Sequence, residues 1–151
     1  MKKDHIINDI LSEIKSNSKV QEMKKYTQHG TVSTYEHCCN VAKLSYVIDR
    51  LFSLHSDLNV LLVGAMLHDF YLYDWHCHDR TYQLPHGFTH AKEACINARK
   101  YFNIDARTSR VIACHMWPLT IGSCPKSREE WIVCVADKCV SLHETLFRRK
   151  R

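Results

Sequence analysis

The chain has 151 residues, 45% of them hydrophobic, which suffices for one domain with a core and is too short for two ordinary domains. Its formal net charge is +5, and residues 148–151 supply four of the positive charges. The rest of the chain is nearly neutral, which argues against an extended nucleic-acid-binding face. Only 4 glycines and 3 prolines are present, which excludes turn-rich sandwiches and barrels and favours long helices.

The N-terminal stretch carries acidic residues where a signal peptide would be apolar, and the longest apolar stretch, residues 58–67, is too short to span a bilayer. We therefore expect a soluble cytoplasmic protein with no membrane partner. The chain has 8 cysteines but no C-x-x-C pair of the kind typical of zinc ribbons. Because disulfides rarely persist in a reducing compartment, we interpret the cysteines as core or surface thiols.

Apolar residues recur with helical period along most of the chain. They predict helices at about residues 4–16, 19–27, 34–52, 58–69, 88–102, 105–115 and 128–147. The predicted N-caps are Ser33, Asp57, Asp105 and Ser127. The first and last of these begin capping boxes, since each has a glutamate three residues later. Residues 70–86 are aromatic, polar and irregular, and we predict a loop there.

No convincing period-two alternation, repeat or linker interrupts this pattern. The sequence therefore predicts an all-α fold, a single-domain compact bundle of about six to seven helices that covers residues 1–151. The motifs described below lie in a core of about residues 33–147, and residues 148–151 form a basic tail.

Polar residues lie at the inner ends of several buried apolar stripes. They are His37, His68, Asp69, His115 and Asp137. Burial of such groups is costly unless they are paired or bind something, and side chains from different helices can meet in a bundle core. Imidazole with carboxylate suits Fe, Mn, Zn or Co. Taken singly, each residue also has a structural explanation: His37 as a satisfied core histidine, for example, or Asp137 as the partner of the neighbouring lysine or of a histidine.

The order and spacing of these residues resemble the HD superfamily of metal-dependent phosphohydrolases. The matching segments are Tyr35-Glu36-His37, Ala65-Met66-Leu67-His68-Asp69 and Val135-Ala136-Asp137-Lys138. The resemblance spans roughly residues 33–147. It implies the four ligands of a mononuclear HD site, which here are His37, His68, Asp69 and Asp137.

Two further histidines resemble the additional ligands of binuclear members. His86 begins a turn into a helix, as the family's ligand does, and His90 then stands where the family has a small residue. His115 resembles the family's next metal-binding histidine. The resemblance thus implies two divalent transition ions (Fe, Mn or Zn) per chain, with Asp69 as the bridging ligand. If the register of the loop differs, His90 takes the place of His86.

The implied activity is hydrolysis of a phosphoester or phosphoanhydride of a nucleotide or dinucleotide by a hydroxide that bridges the two metals. Asp69 would hold both ions, and a protonated His90 or Lys138 would steady the phosphate or leaving group. The chain departs from many binuclear members because residues 70–73 replace the H-D-x-G-K continuation, and no GYP signature is present. Both departures leave the substrate open.

The partner implied is thus a small, phosphorylated, nucleotide-like molecule, with no nucleic-acid polymer. Trp75 or His76 in the loop could lie against such a substrate, and the segment 116–118 could stack on a base, although core packing also explains it. Two other functions use the same residues. One is an HD-type di-iron oxygenase, which needs the same ligands, and the other is a non-catalytic HD-fold ligand-sensing module.

Overall fold

Helices dominate the computed structural model, which describes residues 2–75 and 86–147. Within these ranges the helices are α1 Lys2–Ser16, α2 Ser18–Glu22, α3 Thr34–Leu51, α4 Leu58–Leu67, α5 His86–Phe102, α6 Ala106–Cys114 and α7 Arg128–Phe147. Two short 3₁₀ turns are Met23–Lys25 and Ile121–Ser123, and the strands β1 Thr27–His29 and β2 Val32–Ser33 form one small hairpin. The predicted all-α class is confirmed.

The long helices begin where the sequence predicts caps. Ser33 Oγ accepts a hydrogen bond from the backbone N–H three residues into its helix, and Ser127 Oγ does the same. Asp57 and Asp105 accept backbone N–H groups of α4 and α6 with their carboxylates. Each cap satisfies a donor that the helix cannot satisfy internally, and this fixes the helix start.

Helix α4 lies at the centre of the domain, because it is apolar on nearly every side and must be surrounded. It packs against α1, α3, α6 and α7. Gly64 permits a close approach of α6, since a Cβ added there would lie 2.6 Å from Val111 Cγ1. The C-terminal end of α4 is therefore buried, and His68 and Asp69 follow directly at that end.

The segment before α3 differs from the prediction of a helix over residues 19–27. That helix ends at Glu22, and after a 3₁₀ turn the chain forms the antiparallel hairpin of β1 and β2. Gly30 adopts a φ of 59° in the turn, a conformation that glycine tolerates without steric cost. The hairpin packs against α3 and α7, so its residues approach the centre of the bundle.

The start of α5 and the burial of the cysteines are close to what the sequence predicts. Helix α5 begins at His86, two residues before the predicted start. Cys38, Cys95 and Cys134 are buried free thiols and Cys139 is exposed, consistent with core and surface roles. No helix in residues 2–75 or 86–147 combines the length and the apolar character needed to cross a bilayer.

Candidate metal centre

Five helices bring six polar side chains into one buried cluster. These are His37 of α3, His68 and Asp69 after α4, His90 of α5, His115 after α6 and Asp137 of α7. All six are buried, at 7% exposure or less. Residues up to 100 positions apart in sequence are thus in contact. Such a concentration of ionisable groups inside a core is costly unless the groups satisfy one another or a bound ion.

Asp69 lies at the middle of the cluster, and its two oxygens face different histidine pairs. Oδ2 lies 3.3 Å from His68 Nε2 and 3.7 Å from His37 Nε2. Oδ1 lies 3.2 Å from His90 Nε2 and 3.5 Å from His115 Nε2. A carboxylate that presents one oxygen to each of two groups of imidazoles has the geometry required to bridge two ions.

Backbone carbonyls set the orientation of two of these rings. His68 Nδ1 donates to the carbonyl oxygen of Ala65 at 2.7 Å, and His115 Nδ1 donates to that of Ile112 at 2.7 Å. Because a carbonyl only accepts, Nδ1 carries the hydrogen, and in the neutral ring the lone pair is on Nε2. Each of these lone pairs faces the Asp69 carboxylate. Metal-binding histidines are commonly held in this way through their other nitrogen.

A carboxylate does the same for His37. Its Nδ1 donates to Glu144 Oε2 at 2.8 Å, and its Nε2 lies 3.1 Å from Asp137 Oδ1. Glu144 is only 1% exposed, and Asn40 Nδ2 donates to its other oxygen at 3.0 Å. Glu144 was not among the residues predicted from the sequence. Its position seven residues after Asp137, which places both side chains on one face of α7, could have indicated it.

The cluster holds its acidic groups ionised. Burial would raise the pKa of Asp69, but the neighbouring His68 and His115 outweigh it and lower this pKa well below the usual value. Asp137 behaves in the same way, because the hydrogen bond with His37 and the nearby His68 outweigh its burial and lower its pKa well below the usual value. Burial would lower the pKa of His37, but its bonds to Asp137 and Glu144 raise it to about 9. A site that favours a proton on imidazole this strongly also attracts a metal cation in its place.

Two buried atoms at the centre lack hydrogen-bond partners within the described part of the chain. They are His68 Nε2 and Asp69 Oδ1. Ligand atoms also lie within 4.8 Å of one another in two groups, which are His37, His68 and Asp137, and His68, Asp69 and His115. Lone pairs and carboxylate oxygens that converge in this way are satisfied by a proton on imidazole or by a bound metal ion. The residues therefore fit a divalent metal with nitrogen and oxygen ligands.

Among the described side chains of α5, His90 lies in the cluster, with its Nε2 3.0 Å from His115 Nε2. His90 is the ligand that the alternative register of the loop would give. His86 begins the same helix, but its side chain lies outside the described residues, so its assignment as a ligand stays a prediction. His76 likewise lies outside them.

Lys138 lies at the edge of the cluster, where its Nζ donates to the His115 carbonyl at 2.9 Å.

The hairpin adds two neighbours that the sequence analysis also missed. Gln28 Nε2 donates to Asp69 Oδ2 at 2.6 Å, and the Tyr71 hydroxyl donates to Gln28 Oε1. The half-buried His29 ring lies edge-on to His37, with the ring centroids 5.5 Å apart. The helix predicted at about residues 19–27 ends before both residues, and nothing in the local sequence pattern indicated these contacts.

A cavity of about 920 Å³ opens beside the cluster. Its described lining includes the polar residues Gln28, His29, Asp69, His90, His115, Asp137 and Lys138 and the apolar residues Trp75, Met116, Pro118 and Leu119. The cavity is thus lined both by cluster residues and by apolar side chains. Trp75, Met116 and Pro118, which belong to segments singled out in the sequence, border this cavity.

Comparison with known proteins gives one finding. A protein-family model described as the HD domain matches residues 34–142, which is more than half of the chain. The matched range contains all six clustered side chains, whereas Gln28 and the first strand of the hairpin lie before it. Neither the curated proteins nor the solved structures include a significant match.

Proposed function

Because the chain belongs to the HD domain family, we propose that it is an enzyme that hydrolyses a phosphoester or phosphoanhydride of a nucleotide or dinucleotide. We propose that it does so with about two divalent transition ions. HD domains are largely metal-dependent phosphohydrolases. The observation that carries the proposal is the position of Asp69, whose two oxygens face separate histidine pairs.

In the proposed centre the ligands divide between two ions. His37, His68 and Asp137 would hold the first ion with Asp69 Oδ2, and His90 and His115 would hold the second with Asp69 Oδ1. Fe, Mn or Zn suits this mixture of imidazole and carboxylate. When bound, such ions lower the pKa of coordinated water and neutralise charge on phosphoryl oxygens.

Side chains of this protein prepare the site for that chemistry. Glu144 and two backbone carbonyls hold three imidazoles with Nε2 toward the centre. Lys138 is the only lysine or arginine among the described residues that line the cavity. We assign its ammonium group the role of holding a phosphoryl oxygen next to the cluster, where burial of neighbouring groups strengthens the attraction.

The apolar part of the cavity lining supports a substrate with a flat organic group. Trp75, Met116 and Leu119 present aromatic, thioether and aliphatic surface to the cavity that the cluster residues also line. A nucleoside base has a flat face that stacks on such surface, while its phosphate would lie at Lys138 and the cluster. This combination of ionic and apolar lining favours a nucleotide over inorganic polyphosphate.

The test begins with metal analysis of the chain purified without chelator, followed by a screen of nucleotides and dinucleoside polyphosphates for phosphate release. We expect about two ions per chain and release from at least one nucleotide. Replacing both His68 and Asp69 by alanine should abolish both properties. The matched control replaces His5 and Asp9, an exposed pair in α1 whose side chains are 2.8 Å apart.

Three results would contradict the proposal. Unchanged metal content and phosphate release in the His68/Asp69 variant would separate the activity from the cluster. Consumption of oxygen with an organic substrate, without phosphate release, would instead support a di-iron oxygenase. A chain that takes up no metal would support a non-catalytic HD module.

A further inference from the structure

Gln28 lies against the carboxylate at the middle of the cluster. It is 7% exposed, and its Nε2 donates to Asp69 Oδ2 at 2.6 Å. We propose that Gln28 is a positioning residue that orients Asp69 and thereby sets the affinity of the second metal site. The inference rests on the proposed function, because it assigns a role toward the ion held by Asp69 Oδ1, His90 and His115.

The orientation of the Gln28 amide follows from its hydrogen bonds. Tyr71 donates its hydroxyl to Gln28 Oε1, and Thr34 Oγ1 lies 3.3 Å from the same oxygen. Oε1 is therefore the acceptor, and Nε2 faces the ionised Asp69. Tyr71 and Thr34 are both buried. The carbonyl end of the Gln28 amide is thus held by buried side chains.

The hydrogen bond from Gln28 restricts the rotation of the Asp69 carboxylate plane. Turning this plane about the Cβ–Cγ bond would move Oδ2 away from the Gln28 amide. With Oδ2 held, Oδ1 stays directed at His90 and His115, at 3.2 and 3.5 Å from their Nε2 atoms. Gln28 thus holds the carboxylate plane in the position that the proposed bridge uses.

The two metal sites do not depend equally on this orientation. The first site has three protein ligands besides Asp69, namely His37, His68 and Asp137. The second has only His90 and His115 among the described side chains, so Asp69 Oδ1 is one of three ligands there. A loosened Asp69 therefore weakens the second site more than the first.

Both strands of the hairpin that delivers Gln28 lie before the region that the HD family model matches, which begins at residue 34. A backbone hydrogen bond joins this segment to the start of α3, since the N–H of Thr34 donates to the Tyr26 carbonyl at 2.8 Å. The two strands pair across the turn at Gly30. The family's helices supply the clustered ligands, and we assign the positioning of Asp69 to this segment of the chain.

The experiment is a Mn²⁺ titration of the metal-depleted full-length chain, followed by electron paramagnetic resonance, which distinguishes isolated Mn²⁺ from an exchange-coupled pair. The variants are Gln28→Met, which keeps the side-chain length but removes the donor, and Tyr71→Phe, which removes the hydroxyl that orients the amide. Gln21→Met in α2 and the buried Tyr46→Phe in α3 are the matched controls. Circular dichroism verifies folding.

We expect the unmodified chain and both controls to bind about two Mn²⁺ with a coupled-pair signal. Gln28→Met should weaken the second Mn²⁺ by about 10–100-fold, and the isolated-ion signal should persist beyond one equivalent. Tyr71→Phe should change both readouts in the same direction but less, and it supplies the test if Gln28→Met does not fold.

Two results would overturn the inference, and they differ in what else they exclude. If the unmodified chain binds two ions and both variants match it in affinity and coupling, Gln28 has no positioning role while the proposed function stands. If the unmodified chain binds fewer than two ions, the two-metal centre itself is excluded, and this inference is excluded with it.

Discussion

Glu144 Oε2 accepts a hydrogen bond from His37 Nδ1 at 2.8 Å, and this contact determines which nitrogen of His37 faces the cluster. The opposite nitrogen, Nε2, lies 3.1 Å from Asp137 Oδ1. Asn40 holds the other Glu144 oxygen, so the carboxylate cannot rotate freely. The first imidazole of the proposed centre is therefore oriented by a residue two helical turns beyond Asp137.

Replacing Glu144 by alanine should lower metal affinity by about 10–100-fold, because an unsupported His37 ring samples other orientations and tautomers. Isothermal titration with Mn²⁺ measures the change. Glu129→Ala is the matched control, since Glu129 is also buried in α7 but bonds to the Asp57 backbone, far along the helix from the cluster. Equal affinities in both variants would contradict an orienting role for Glu144.

Replacement of either α5 histidine distinguishes the two registers. We expect His90→Ala to reduce the metal content from about two ions to about one, because His90 contacts both Asp69 and His115. His86→Ala should leave the content unchanged if His90 is the ligand. Elemental analysis of both variants decides the assignment. Loss of the second ion in His86→Ala alone would establish the register first inferred from the sequence.

The metal-free chain should become less stable in alkaline solution. Burial would lower the pKa of His37, but Asp137 and Glu144 raise it from 6.5 to about 9. A histidine whose pKa is raised by folding stabilises the folded state when it is protonated. This stabilisation is fully present below about pH 6.5, and it is lost as the pH rises through about 9. Urea unfolding of chelator-treated protein between these values measures the decline.

The matched variant for the pH experiment is Glu144→Gln. It removes one of the two carboxylates that raise the pKa of His37, so the decline in unfolding free energy should move to lower pH. A stability that is flat from pH 6.5 to 9 in the unmodified chain would show that protonated His37 does not stabilise the fold.

Gly64→Ala should destabilise the domain by about 1–3 kcal/mol, because the added methyl group overpacks the contact between α4 and α6. It would lie 2.6 Å from Val111 Cγ1, and buried Val111 has little freedom to move. The control is Gly122→Ala, where the new Cβ has no atom within 4 Å. Similar unfolding midpoints in urea for the two variants would contradict close packing at Gly64.

Lys138→Met should raise the KM for the nucleotide by about tenfold or more, because it removes a charge-assisted contact to phosphate. Metal content, measured on the same sample, should not change. The exposed Lys43→Met in α3 is the control. A loss of metal in Lys138→Met would instead assign the lysine to holding the His115 carbonyl, to which it donates at 2.9 Å.

Most of the helices and the buried polar positions can be predicted from the sequence alone, because both follow from short-range physics. Apolar period and side-chain caps specify a helix locally, as at Ser33 and Asp105. A histidine or aspartate within an apolar stripe is forced inward with it, as at His37 and Asp137. Resemblance to the HD family then indicated which of these residues belong together, and the family match at residues 34–142 agrees.

The packing of the folded chain determines which side chains meet across the cluster. His86 and His90 are four residues apart in one helix, so local spacing does not distinguish them, and the contact of His90 with Asp69 at 3.2 Å is visible only in the fold. Gln28 and Asp69 are separated by 41 positions, and His37 and Glu144 by 107. Such pairs depend on how the hairpin and the helices pack, which no local pattern encodes. The orientations of His37 and Asp69 therefore depend on contacts that exist only once the chain has folded.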